Sequence, residues 1–169
     1  TFHNRLEVLC VTFAPDGKSL AFGGYEKTVR LVNVENSKSQ RIFKGHTDYV
    51  SSIAFSSDGT IASASWDHTV RIWDRNNGKL LHVLRHFDSV HEIAFSPNNR
   101  ILASTGSEAD IRLWDTQTGT LLRSLKREPA EHWYGRSVAF SPDGKSVAGE
   151  TEGAVIVWDV ESGAIERII

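Results

Sequence analysis

Residues 45–74 read GHTDYVSSIAFSSDGTIASASWDHTVRIWD, and this stretch decides the fold class of the whole chain. It opens on Gly45-His46, closes on Trp73-Asp74, and holds three short apolar runs between them. Val50, Ile53 and Phe55 lie in the first, Ile61 to Ser65 form the second, and Val70 to Trp73 the third. The runs are separated by Ser56-Ser57-Asp58-Gly59 and by Trp66-Asp67-His68. Short runs rich in Val, Ile and aromatics, punctuated by Asp, Gly and Ser, predict antiparallel strands joined by tight turns.

The same pattern recurs along the chain. Phe13, Phe55, Phe95 and Phe140 each open an equivalent turn, at intervals of 42, 40 and 45 residues. Val32-Asn33, Trp73-Asp74, Trp114-Asp115 and Trp158-Asp159 follow as a second set of landmarks. A period of this length outranks any local secondary-structure reading. The repeat, with its Gly-His opening and Trp-Asp close, resembles the WD40 family, whose members build β-propellers with four strands per blade. The resemblance implies an all-β chain of four four-stranded antiparallel blades, with units at roughly 1–45, 46–85, 86–130 and 131–169. Unit one departs most, having Val32-Asn33 for Trp-Asp and Phe22 where later units have Ser. WD40 rings usually hold about seven blades, so four imply a partial ring, completed by further blades of the same longer chain or by a second copy.

Composition narrows the function. The chain has 19 Lys plus Arg against 21 Asp plus Glu, which lacks the basic excess of a nucleic-acid or anionic-membrane binder. No apolar run approaches the ~20 residues of a membrane helix. A single cysteine, Cys10, allows no internal disulfide, and an intracellular, cytoplasmic setting is expected.

The resemblance places His46, Ser63, Asp67 and Trp73 on a buried hydrogen-bonded tetrad. In unit three the corresponding residues are His86, Ser104, Glu108 and Trp114, where the longer Glu puts the geometry in question. In unit four Ala148 is expected at the Ser position. Ser, His and Asp are also the parts of a hydrolase triad, but a nucleophile inside a blade has no substrate pocket; no catalytic residues are assigned. His82, His86 and His91 do not make a metal site, since residues four apart on a strand are ~13 Å apart, and neither metal nor cofactor is expected. Arg30, Arg71 and Arg112 occupy one position in successive units and are expected to pack and pair between blades.

Function is expected on the loop face. There the resemblance projects Tyr25, Trp66, Ser107 and Thr151 from one set of loops, and Glu7, Tyr49, Ser89 and Tyr134 from the other. Four of these eight are aromatic in a chain that is 9% aromatic, the composition of an interface anchor. An insertion at 127–134, with Trp133 and Tyr134, is expected to project from the ring as a loop that contributes to partner binding. The expected role is a scaffold or partner-sensing domain, of the kind found in signalling proteins, binding a protein or peptide. The alternative is a propeller whose central channel senses a small molecule or performs catalysis.

Overall fold

The computed structural model describes residues 7–108, 110–126, 135–151 and 154–169. These form four antiparallel sheets, each of four strands in sequential order. The first holds β1 (Val8–Phe13), β2 (Ser19–Gly24), β3 (Thr28–Asn33) and β4 (Ser39–Lys44). The second holds β5 (Val50–Phe55), β6 (Ile61–Ser65), β7 (Thr69–Trp73) and β8 (Leu80–Arg85). The third holds β9 (Val90–Phe95), β10 (Ile101–Gly106), β11 (Asp110–Asp115) and β12 (Leu121–Lys126). The fourth holds β13 (Val138–Phe140), β14 (Ser146–Thr151), β15 (Ala154–Asp159) and β16 (Ile165–Ile168). This is the all-β architecture of a partial WD40-type propeller, with one sheet per blade.

Alternate residues of a strand face opposite ways, and each blade uses both faces. Val70 and Ile72 on β7 look toward the third blade, where they meet Val90, Ile93, Leu102 and Trp114. Trp73, one residue on, looks back with Val50, Ile53 and Ile61 at Val29, Leu31 and Phe43 of the first blade. Ile111, Leu113 and Leu125 meet Val138, Val147, Ile156 and Trp158 in the same way. Each core is thus an inter-blade layer, and burying it is what stacks the repeats.

The landmark Asp earns its place in the turn after the third strand. Asp74 Oδ1 accepts from Asn76 N–H at 2.8 Å, Asp115 Oδ1 from Gln117 N–H at 3.0 Å, and Asp159 Oδ1 from Ser162 N–H at 2.7 Å. Asn33 does the same for Asn36 at 3.1 Å, so the first blade keeps the turn without the Trp-Asp pair. Four residues after each landmark the backbone is left-handed, with φ of 54° at Ser37, 78° at Gly78, 71° at Gly119 and 76° at Gly163. Glycine accepts that conformation without steric cost.

On this side of the molecule each fourth strand grips the next blade. Arg41 donates from Nη1 to Asn77 O at 3.0 Å and from Nη2 to Asn76 O at 2.7 Å. His82 Nε2 donates to Gln117 O at 3.0 Å, and Arg123 Nη2 to Glu161 O at 2.6 Å. The three side chains stand at one register position, opposite Leu31, Ile72 and Leu113.

Two expectations need correction. In the fourth blade Val147 pairs with Trp158 and Gly149 with Ile156, as Ile61 pairs with Trp73 and Ser63 with Arg71. Gly149, and not Ala148, therefore stands at the Ser position. A Cβ there would lie 2.4 Å from Ile111 Cδ1 of the third blade. The residues at the Ile111 position in the first two blades are the smaller Val29 and Val70, and the larger Ile111 takes the space a side chain at Gly149 would need. The arginines also differ: their ion pairs lie within blades, Arg30 with Glu26 and Arg112 with Glu108 and Asp110. Toward the preceding blade Arg112 Nη1 donates to Arg85 O at 2.9 Å, and Arg71 packs close to Gly45 at the end of the first unit, so packing between blades holds where ion pairing does not.

Candidate partner-binding face

The second blade assembles a continuous polar chain. Trp73 Nε1 donates to Ser63 Oγ at 2.9 Å, Ser63 Oγ lies 2.8 Å from His46 Nε2, and His46 Nδ1 lies 2.8 Å from Asp67 Oδ2. With Nδ1–H given to the carboxylate, Nε2 accepts from the Ser63 hydroxyl, which in turn accepts from the indole. Every donor in the chain has an acceptor. Asp67 also receives Thr47 N–H at 2.9 Å and, on its other oxygen, Thr69 N–H at 3.0 Å and Thr69 Oγ at 2.6 Å. Burial opposes ionisation of Asp67, but the bonds from His46, Thr69 and Thr47 outweigh it and hold the carboxyl well below the ordinary aspartate range. The network clamps the loop 46–49 to the turn 66–68, and both belong to the loop face.

The third blade keeps half of this chain. Trp114 Nε1 donates to Ser104 Oγ at 2.8 Å, and Ser104 Oγ lies 2.9 Å from His86 Nε2. Glu108, however, sits 3.7 Å from His86 Nδ1 and pairs instead with Arg112, four residues on. It also accepts Phe87 N–H and Asp88 N–H. Burial holds Glu108 above the ordinary glutamate range against these bonds. Burial, aided by the Arg112 charge, drives His86 down to about 3, so the imidazole is neutral. In the first blade Glu26 also pairs with the arginine four residues on, accepting from Arg30 Nε at 2.7 Å.

Above the clamp lies a row of aromatic rings. Tyr25 and Tyr49 stack with centroids 4.2 Å apart and planes 20° from parallel, and Trp66 tilts against Tyr49 at 5.4 Å. The backbone builds the row. The residue before each acid donates its N–H to the residue before each innermost strand: Tyr25 to Glu7 O at 3.1 Å, Trp66 to Tyr49 O at 3.0 Å, and Ser107 to Ser89 O at 2.9 Å. The two sets of loops therefore meet pairwise, and the aromatics of blades one and two merge while blade three continues the line with Ser89 and Ser107. Ser107 Oγ is 3.3 Å from His91 Nε2. Trp66 is 41% exposed. Trp133 and Tyr134 lie outside the described residues.

One exposed aromatic was not singled out from the sequence. Phe87 is 87% exposed, and Arg112 lies 4.9 Å from its ring centroid. It replaces Thr47 of the preceding unit, so comparison of the loops after each His carries the signal. Cys10 is half-buried between blades, within 3.7 Å of Gly23 O and Val50 O, and burial pushes its thiol up to about 12. The raised pKa disfavours the thiolate form. Among the described residues no group of three metal-ligating side chains occurs, and no helix is long and apolar enough to cross a membrane.

No curated protein matches the chain. The family described as IFT122 first beta-propeller matches residues 7–168, nearly the full length and all four blades. The chain belongs to that family of WD40-type β-propellers.

Proposed function

We propose that the chain is a non-catalytic interaction scaffold that holds a protein or peptide against the Tyr25, Tyr49 and Trp66 row, with Ser89 and Ser107 continuing the contact. The observation that supports this most is the row itself. Three large rings are lined up by backbone hydrogen bonds and clamped from below by the Asp67 network; Trp66 is exposed and Tyr25 and Tyr49 are half-buried. Rigid, exposed aromatics lose little entropy on binding and are frequent energetic anchors. The tetrads are structural in this reading. An intracellular setting suits a domain that works through protein partners.

The two outer faces of the stack support a second part of the reading. Val11 and Phe13 are each 61% exposed, whereas Ile53 and Ile93, which occupy the Val11 position in later blades, are 7% and 5% exposed. At the other end Val155 and Ile169 are open, whereas Val70, Ile111, Leu84 and Leu125 at the matching positions are buried. Further blades of the same repeat cover both faces, supplied first by the same polypeptide and second by another copy. A solution mass of two chains selects the second copy, and a stable one-chain particle removes it.

Hydrogen exchange with a bound protein partner tests the main reading. Protection is expected in loops 25–27, 47–49 and 66–68. Protection confined to the opposite turns, around Asn76 and Gln117, overturns it.

A further inference from the structure

Three blades grip the blade that follows them, and the fourth carries the same side chains. Arg167 pairs with Val157 at the register position where Arg41, His82 and Arg123 stand opposite Leu31, Ile72 and Leu113. Those three side chains are half-buried, whereas Arg167 is exposed. Two residues on, Phe43, Leu84 and Leu125 are at most 2% exposed, while Ile169 at the matching position is 72% exposed. The fourth blade thus presents the gripping face of the other three, a cation beside an apolar strand.

The receiving side has two requirements, and the first blade departs from both. At each junction the gripping side chain passes over the left-handed glycine of the next turn. A Cβ on Gly78, Gly119 or Gly163 would lie 3.0 Å from Arg41 Cδ, 2.7 Å from His82 Nδ1 or 2.6 Å from Arg123 Cδ. Ordinary contacts between carbon atoms are ~3.5–4.0 Å, so the grip needs glycine beneath it. Ser37 holds that place in the first blade, with φ of 54°. The second requirement is an indole. Trp73, Trp114 and Trp158 are each buried against strands of the preceding blade, and Val32 stands at that position in the first. Arg167 of a second copy would meet the Ser37 side chain, and the space of the indole would stay empty, which costs stability.

Resting on the reading that further repeat blades cover both outer faces, we infer that the fourth blade docks a repeat blade with a Trp-Asp landmark and a glycine four residues after its Asp, and refuses the first blade of a second copy. Arg167 takes the carbonyls of that blade's turn as Arg41 takes those of Asn76 and Asn77. The three junctions within the chain supply the template for this contact.

Sedimentation of the whole chain over a concentration series tests this, with the chain itself as the probe. The parent is expected to stay single. Ser37→Gly suits the left-handed turn, clears the path of Arg167 and is expected to strengthen head-to-tail association about tenfold or more. Val32→Trp added to it should strengthen association further. Arg167→Ala in the Ser37→Gly background is expected to restore the parent's behaviour. A stable two-chain particle of the parent overturns the inference. So does association of Ser37→Gly unmoved by Arg167→Ala, or a chain with Ser37→Gly and Val32→Trp that melts like the parent and associates no better. Each of these results leaves the covering of the faces by other blades standing. That reading fails separately, if an apolar-surface dye binds the parent and a Val11→Ser, Phe13→Ser variant alike.

Discussion

His46 donates its Nδ1 proton to Asp67 Oδ2 across 2.8 Å, and this bond joins the loop entering the second blade to the turn that carries Trp66. In the third blade one added methylene sends Glu108 past His86 to Arg112. Glu26 likewise pairs with Arg30 in the first. The aspartate thus meets histidine in the second blade and the glutamate meets arginine in the third, and among the described residues the second blade carries the full chain from carboxylate to indole.

Asp67→Ala removes the acceptor for His46, Thr47 and both donors of Thr69, leaving buried polar groups without partners. The expected loss is ~2–4 kcal/mol, read from the chemical-denaturation midpoint. Asp67→Glu is expected to swing the acid toward Arg71 and lose the bond to His46, visible as an upfield shift of the His46 Nδ1 proton. A midpoint unchanged by Asp67→Ala contradicts the role of this network.

Acid stability should carry the signature of His86. Burial depresses its pKa from 6.5 to about 3, so between those values the unfolded chain binds a proton that the folded chain does not. Its contribution is intact above pH 6.5 and is lost as pH falls toward 3, with a limiting slope of about 1.4 kcal/mol per pH unit. Denaturation midpoints from pH 7 to 4 should fall less steeply for His86→Gln, whose side chain can still accept from Ser104. Parallel curves contradict the buried neutral imidazole.

Arg41 and Arg123 tie the first blade to the second and the third to the fourth through backbone carbonyls. Arg41→Ala and Arg123→Ala are each expected to cost about 0.5–1.5 kcal/mol. They share no partner, so the double variant should lose the sum within about 0.5 kcal/mol. A double variant as stable as the parent shows that apolar stacking alone holds the blades.

Much of this was legible in the chain because the repeat is written in large side chains. The landmark Phe and Trp-Asp positions locate strands and turns, since aromatics and Asp turns tolerate few alternatives. Register was less legible. The fourth unit offers Ala148 and Gly149 side by side, and only pairing of Val147 with Trp158 puts Gly149 at the Ser position. Arg41, His82 and Arg123 recur every 41 residues, but a recurring cation on an outer strand resembles ordinary solvated surface until the facing carbonyls are placed. Whether Glu reaches His or Arg depends on one methylene, which spacing cannot resolve.

Affinity for a protein partner, measured beside thermal melting in Trp66→Ala and Tyr49→Ala, tests the binding face most directly. The arrangement predicts that each variant weakens binding by ~2 kcal/mol or more, about thirtyfold, while the melting midpoint stays in place. Variants that melt early yet bind the partner with parental affinity contradict it, and would assign the row to the core of the second blade.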